Sequence, residues 1–210
     1  MLNVPGYYIV NELRRDRSDT QRGAGGGILV YAKTHLKISP IDINSDYIQA
    51  VAFKIDLSDK DDGRGCSGKT PHEQSIFKIL AFYRSPNSSA ENTSKLAELI
   101  IKFKDFDLMT GDLNLPGICW QSKTSDLKGS EILDSVESCG LEQQITFPTH
   151  RAGNILDVAF TQVEHHVTWI DNIGNIGSSD HTAILLKFAI HFGGFGSIAG
   201  NFTLRKSLEL

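Results

Sequence analysis

The sequence predicts a layered α/β (α+β) fold with a mixed sheet. Predicted strands outnumber predicted helices, and the helices separate only some of the strands, which argues against a purely parallel sheet. The chain has 210 residues, 40% of them hydrophobic, so it is long enough for one sizeable core and one domain.

Each element is predicted from its apolar pattern. Short apolar runs predict strands at residues 28–32, 47–57, 76–83, 106–110, 141–147, 155–161, 167–173 and 182–190. Helical spacing of Leu96, Leu99, Ile100 and Phe103 predicts a helix over 92–103, and a second helix over 130–139 stops before Gly140. The glycine-rich tail predicts a domain over 1–192 and a linker over 193–210.

Composition narrows the class of protein. The net charge of -4 gives no basic excess for nucleic acid, although local basic patches in an acidic chain can still bind phosphate. The three cysteines have no CxxC spacing, which predicts reduced thiols in an intracellular protein. No apolar run approaches the roughly 20 residues that span a bilayer, so we expect no membrane partner.

Two polar clusters lie beside apolar runs. Asp112 and Asn114 follow the run at 106–109, and Asp180 and His181 precede the run at 182–190. An acid, an amide and an imidazole at strand ends suit metal-assisted phosphodiester hydrolysis. The alternatives are a plain turn at 111–116, because Gly, Asp, Asn and Pro form turns, and a surface or capping histidine.

Asp157 adds a third candidate. It lies within the apolar stretch 155–160, where a charged group is costly unless it has a partner. His181 is the partner that we predict, with Asp157 orienting the imidazole and stabilising its charge.

Residues 63–70 match the phosphate-loop pattern GxxxxGK[ST] letter for letter. That pattern needs a helix directly after the loop, but Pro71 offers no N–H and the strand at 76 leaves no room for a helix. Residues 59–62 are also acidic and would repel a triphosphate. We therefore favour a hydrophilic loop, with a P-loop nucleotide-binding protein as the alternative.

Residues 14–22 are rich in arginine and precede the glycine run at 23–27. The simpler interpretation of residues 1–27 is a solvated loop with a glycine hinge. The alternative is a basic loop that contacts a phosphate backbone.

Taken in order, these stretches resemble the endonuclease/exonuclease/phosphatase superfamily, and more narrowly the endonuclease domain of non-LTR (LINE-type) retrotransposons. The resemblance covers residues 5 to about 190. Its landmarks are Pro5-Gly6-Tyr7, Arg14-Arg15-Asp16-Arg17, Gly25-Gly26-Gly27, Tyr83-Arg84-Ser85-Pro86, Gly111-Asp112-Leu113-Asn114, Ile145-Thr146-Phe147-Pro148-Thr149, Asn154-Ile155-Leu156-Asp157 and Ser179-Asp180-His181.

The resemblance implies a two-sheet β-sandwich flanked by helices, as in deoxyribonuclease I. It implies a DNA endonuclease that uses Mg²⁺, with Mn²⁺ as a substitute, and that leaves a 3′-hydroxyl for a reverse transcriptase domain in the full element. An active protein of this kind would work in the nucleus.

The resemblance also implies catalytic roles. Asp112 would activate and align the attacking water, and Asn114 would help to hold that water and the phosphate. His181, oriented by Asp157, would contact the phosphate. Tyr83 would stabilise the pentacoordinate transition state.

Further residues would lie around this centre. Asp180 would lie on the metal side. Weaker candidates for lining the cleft are Arg84, Thr146 and Ser179.

In the family, an asparagine and a metal-binding glutamate precede the stretch that matches residues 5–7. The resemblance therefore implies a domain without its first strands, with an impaired metal site. The alternative is a catalytically dead remnant that binds nucleic acid or protein.

Overall fold

The computed structural model describes residues 4–16, 26–57, 76–162, 167–191 and 197–204. The chain begins with short elements, including a 3-10 helix at Asn11–Leu13. The strands and helices are β1 Tyr7–Ile9, β2 Arg15–Asp16, β3 Gly27–Ile28, β4 Tyr31–Lys33, β5 Lys37–Ile41, β6 Ala50–Asp56, β7 Ile76–Tyr83, α1 Ala90–Lys102, β8 Leu108–Asp112, α2 Ser130–Ser138, β9 Glu142–Gln143, β10 Asp157–Thr161, β11 Val167–Asn175, β12 Thr182–His191 and β13 Ser197–Leu204.

The largest sheet contains six of the described strands, in the order β5-β6-β7-β8-β10-β9. Strands β7 and β8 are parallel and joined through α1, whereas the other neighbours in this sheet are antiparallel. The predicted mixed sheet is therefore confirmed. A parallel pair needs a crossover of this kind, because the first strand finishes at the opposite end of the sheet from the point where the second strand starts.

One face of this sheet packs against α1 and α2. Ser89 caps the N-terminus of α1, and its hydroxyl accepts the Asn92 N–H at 3.1 Å. Gly140, with φ of +67°, follows the end of α2. The buried apolar residues of this layer include Leu80, Phe82, Met109 and Val158 from the sheet and Leu96, Ile100, Ile132 and Val136 from the helices.

The opposite face packs against a second sheet, in which the described strands follow the order β11-β12-β13. Phe77 of β7 meets Phe188 of β12 edge to face, with ring centroids 5.1 Å apart. The buried layer between the sheets also contains Phe53, Ile79, Leu108, Ile184 and Leu186. The architecture is thus helices, large sheet and second sheet, which is a two-sheet sandwich flanked by helices.

Several boundaries differ from the sequence-based expectation. The strand predicted over 28–32 is divided between β3 and β4, and the strand predicted over 141–147 is only the two-residue β9. Val10 and Leu13 are 5% and 1% exposed, so the N-terminal stretch contributes to the core and is more than a solvated loop.

The stretch predicted as a linker over 193–210 contains β13. This strand pairs with β12 from Ile184↔Leu204 to His191↔Ser197. A long strand edge offers a row of backbone groups that a following segment can pair with, even where that segment is rich in glycine.

Two sequence motifs lie outside the described residues. These are the phosphate-loop pattern at 63–70 and the part of the basic loop after Asp16. Within the described part of the chain, no helix is long and apolar enough to cross a membrane.

Candidate active site

The candidate site begins where three neighbouring strands of the large sheet carry polar residues in register. Asp112 ends β8 and pairs with Tyr83 of β7 on one side and with Asp157 of β10 on the other. Side chains at paired positions share a face of the sheet, and this face is the one that meets the second sheet. Gly111 allows the close strand approach, because a Cβ there would collide with the Phe82 carbonyl oxygen.

Asp112 and Asn114 form a turn that fixes the position of the Asn114 side chain relative to the Asp112 carboxylate. The Asn114 backbone N–H donates to Asp112 Oδ1 at 3.0 Å, and its side-chain Nδ2 donates to the Arg84 carbonyl at 2.9 Å. Asn114 has φ of +50°, a left-handed conformation that asparagine tolerates better than most residues. The turn alternative for this stretch is therefore confirmed, and the turn places Asp112 and Asn114 side by side.

Asp157 and His181 form a buried pair between the two sheets. His181 Nδ1 donates to Asp157 Oδ2 at 2.7 Å, and His181 is 3% exposed. The contact predicted from the sequence is therefore present. One ligand atom from each of Asp112, Asp157 and His181 lies within 4.8 Å of the others.

Thr149, which the sequence analysis does not assign to the site, holds this pair in place. Its hydroxyl accepts the N–H groups of Leu156 and Asp157 at 2.9 and 3.0 Å. Its carbonyl accepts the N–H of Thr182 at 2.9 Å, so the same residue joins β10 to the start of β12. The Phe-Pro-Thr stretch at 147–149 is one of the landmarks of the resemblance. A hydrophobic pattern cannot predict that this threonine bonds to the backbone of distant residues.

Asp180 and Ser179 lie at the rim of the site. The Ser179 hydroxyl accepts the His181 backbone N–H at 3.1 Å. The Asp180 side chain is 43% exposed, and its Oδ2 lies 3.3 Å from Nε2 of His150. Among the residues that the structure describes, Asp180, His150 and His181 form a second cluster with ligand atoms within 4.8 Å of one another.

Tyr83 is 5% exposed, and its ring lies against Gly26. A Cβ on Gly26, where φ is +88°, would come 2.5 Å from the Tyr83 hydroxyl oxygen. The Tyr47 hydroxyl donates to the Tyr83 carbonyl at 2.7 Å. Gly26 therefore leaves room for this tyrosine.

Arg84 lies beneath the site on the helix side. It is 3% exposed, and its Nε donates to the Thr93 hydroxyl of α1 at 3.0 Å. Its guanidinium also donates to the carbonyls of Ser85 at 3.2 Å, Ser88 at 3.3 Å, and Leu113 and Asn114 at 3.4 Å. It braces the loop that carries Asn114. Thr146, another predicted cleft residue, is exposed in the segment between β9 and Thr149.

We expect Arg84→Met to lower the free energy of unfolding by about 2–4 kcal/mol, because buried carbonyls would lose a charged donor. Urea denaturation followed by tryptophan fluorescence measures this loss. The control is Lys95→Met, which removes an exposed pair with Glu91 at 2.8 Å and should cost about 0.5 kcal/mol or less. Equal losses in the two variants would contradict the bracing role of Arg84.

The donor set fits a hard divalent cation in part. Asp112 and Asp157 supply carboxylate oxygens, the ligand type that Mg²⁺ and Mn²⁺ prefer, within a span that one ion can bridge. Both carboxylates accept a hydrogen bond, Asp112 Oδ1 from the Asn114 backbone N–H and Asp157 Oδ2 from the His181 imidazole. Because the orientation of His181 depends on Asp157, Asp112 is the carboxylate of the first cluster better suited to the ion.

Comparisons with known proteins identify the family and the fold of the chain. Residues 77–185, just over half of the chain, match the family described as endonuclease-reverse transcriptase. The fold is similar to the endonuclease domain of TRAS1, a telomere-specific non-LTR retrotransposon, with a TM-score of 0.59 and 14% identity over 89% of this chain and 80% of that one. No curated protein matches the chain.

The fold and the family match define an endonuclease domain of the endonuclease/exonuclease/phosphatase superfamily, with the deoxyribonuclease I-like architecture. Within that superfamily, the chain belongs to the endonuclease-reverse transcriptase family of retrotransposons.

Proposed function

We propose that this domain nicks DNA by hydrolysing one phosphodiester bond with the help of a divalent cation, Mg²⁺ or in its place Mn²⁺. The observation that carries the proposal is the cluster of Asp112, Asp157 and His181, whose ligand atoms lie within 4.8 Å where the two sheets meet. A carboxylate beside a carboxylate-oriented imidazole suits water activation and phosphate contact.

Each residue of the cluster has its own role in the hydrolysis. Asp112, whose Oδ1 accepts the Asn114 backbone N–H, takes the proton of the attacking water as the water oxygen bonds to phosphorus. The P–O3′ bond breaks, and the leaving 3′-oxygen takes a proton from solvent to give the 3′-hydroxyl. His181, oriented by Asp157, contacts the phosphate and stabilises the charge that develops on it. Asn114 helps to position the water, and the Tyr83 hydroxyl supports the pentacoordinate phosphorus.

The cation would be held by Asp112, with Asp180 on the side of His181. When bound, it would act as a Lewis acid on the phosphate oxygens. Asp112 and Asp180 fall in two different clusters of the described residues, and the Asp180 side chain is 43% exposed. An ion held by Asp112 would therefore gain little from Asp180 and should bind weakly. We therefore propose slow nicking that needs a high cation concentration.

The biological setting follows from the same proposal. The substrate is nuclear DNA, and the 3′-hydroxyl at the nick primes a reverse transcriptase domain in the full element. Specificity for a target sequence would lie in the loops around the site.

The test is a nicking assay on supercoiled plasmid with purified protein. We expect EDTA to reduce nicking at least about 100-fold, and excess Mg²⁺ or Mn²⁺ to restore it, because charge stabilisation by the ion contributes several kcal/mol. The control is Ser94→Ala on α1, a half-buried residue whose hydroxyl donates to Glu131 of α2 at 2.7 Å, which should nick like the parent protein.

A folded protein that never nicks at any concentration of Mg²⁺ or Mn²⁺ would contradict the proposal. A gel-shift assay on the same plasmid would then show whether the domain is a nucleic-acid-binding remnant. Nicking that persists in EDTA would point to a contaminating nuclease or to a mechanism without a cation.

A further inference from the structure

We propose that His150 is a positioning residue that holds Asp180 and His181 together as one unit. Its effect on catalysis rests on the proposed nuclease function, whereas the structural part can be tested without any activity.

The backbone places His150 opposite His181. The two residues form an isolated antiparallel bridge. On one side of the bridge the Arg151 N–H donates to the Asp180 carbonyl at 2.9 Å, and on the other the Thr182 N–H donates to the Thr149 carbonyl at 2.9 Å. The segment around His150 and the segment around His181 therefore cannot slide past each other without breaking these bonds.

The hydrogen bonds of His150 define its tautomer. The Ala152 N–H donates to Nδ1 at 3.1 Å, so Nδ1 is an acceptor and the ring proton lies on Nε2. Nε2 lies 3.3 Å from Asp180 Oδ2, so the imidazole donates to that carboxylate. His150 therefore links its own turn to Asp180 with both ring nitrogens.

The ring of His150 also packs edge to face against His181, with centroids 4.9 Å apart and an interplanar angle of 72°. Asp157 holds His181 through Nδ1, and His150 limits the rotation of the same ring from a second direction. One residue thus orients two of the groups that the proposed mechanism uses.

The same cluster could be considered for a softer metal ion, because two imidazoles and one carboxylate are suitable ligands. Coordination through Nε2 would move the ring proton to Nδ1, where it would face the Ala152 N–H. Two donors would then point at each other. The geometry therefore favours positioning over coordination.

Three variants separate these contributions. His150→Phe keeps an aromatic ring beside His181 but loses both hydrogen bonds, His150→Gln keeps a side-chain donor for Asp180, and Asp180→Ala removes the acceptor. Long-range ¹H–¹⁵N spectra of the histidine side chains report the tautomer and the environment of each ring. Plasmid nicking at saturating Mg²⁺ gives kcat and KM.

In the parent protein, we expect the Nε2–H tautomer at His150. Asp180→Ala should keep this tautomer, because the Ala152 N–H still donates to Nδ1, but should shift the Nε2 signal of His150. His150→Phe should shift the His181 signals and lower kcat about 10-fold, the scale of removing a supporting hydrogen bond at a metal site. KM should change less than about 2-fold, and His150→Gln should recover most of the rate, because Asp180 regains its donor.

An Nδ1–H tautomer at His150, His181 signals that do not move in His150→Phe, or a 1:1 shift of the His150 signals by added Zn²⁺ would overturn the positioning role. Normal kcat in His150→Phe would overturn its catalytic part. If the parent protein never nicks, the proposed nuclease function fails, and the tautomer and the His181 signals still decide whether His150 positions its neighbours.

Discussion

Asp112→Asn is expected to lower the rate of DNA nicking by roughly 10²–10⁴-fold, which is the contribution of a general base. The amide oxygen of the variant can still accept the Asn114 N–H that now lies 3.0 Å from Asp112 Oδ1. The turn is therefore retained, but an amide cannot take a proton from water and binds a cation less strongly. Single-turnover plasmid nicking at saturating Mg²⁺ measures the loss.

Asp107→Asn is the matched control. Asp107 precedes β8 at its other end, and its Oδ2 accepts the Lys78 N–H at 2.7 Å, so the two aspartates share chemistry and backbone bonding but not location. We expect this variant to nick like the parent protein. A loss of less than 3-fold in Asp112→Asn, in protein with an unchanged urea midpoint, would remove Asp112 from the catalytic step.

The features that the sequence predicts best are those that depend on a local hydrophobic pattern or on one buried charge. The buried strand at 76–83 is observed as β7 with the same ends, and the helix predicted over 130–139 is observed as α2, Ser130–Ser138. The pairing of Asp157 with His181 is predictable because a charged group in an apolar strand needs a partner. These predictions use local patterns, or the energetic cost of a single side chain.

The contacts of Thr149 and His150 are not predictable in this way. Thr149 contacts Thr182 through its backbone carbonyl, and His150 contacts Asp180 and His181 through its imidazole. These residues become neighbours only when the second sheet packs on the first. The strand β13 is similar, because its pairing depends on the edge that β12 offers and not on its own composition. These contacts depend on tertiary packing, so the local hydrophobic pattern of the sequence cannot predict them.

Arg84 shows an inference that strand alternation could have supplied. Tyr83 and Arg84 are adjacent at the end of β7, and neighbouring residues of a strand point to opposite faces. Because Tyr83 lies on the sandwich face with Asp112, Arg84 lies on the face of α1, where it contacts Thr93. Tyr83 and Arg84 therefore cannot both face the cleft, and in the structure Tyr83 is the one on that face.

Asp157→Asn is expected to lower nicking by roughly 10²–10⁴-fold, by analogy with other carboxylate–imidazole pairs. In the parent protein, Asp157 Oδ2 accepts the Nδ1–H of His181 at 2.7 Å. An asparagine can rotate its amide group and donate to Nδ1, but it carries no negative charge. The variant therefore no longer supports the doubly protonated ring that offers an Nε2–H and a positive charge to the phosphate. Single-turnover rates and the side-chain ¹⁵N spectrum of His181 measure the two effects.

A double-mutant cycle with His181→Asn decides how Asp157 acts. If Asp157 works only through the imidazole, Asp157→Asn should cost nothing further once His181 is replaced, so the two losses should not multiply. Losses that multiply would mean that Asp157 has an independent role. Its carboxylate lies within 4.8 Å of the ligand atom of Asp112, so that role would be cation binding, and the Mg²⁺ concentration for half-maximal nicking should then rise in Asp157→Asn.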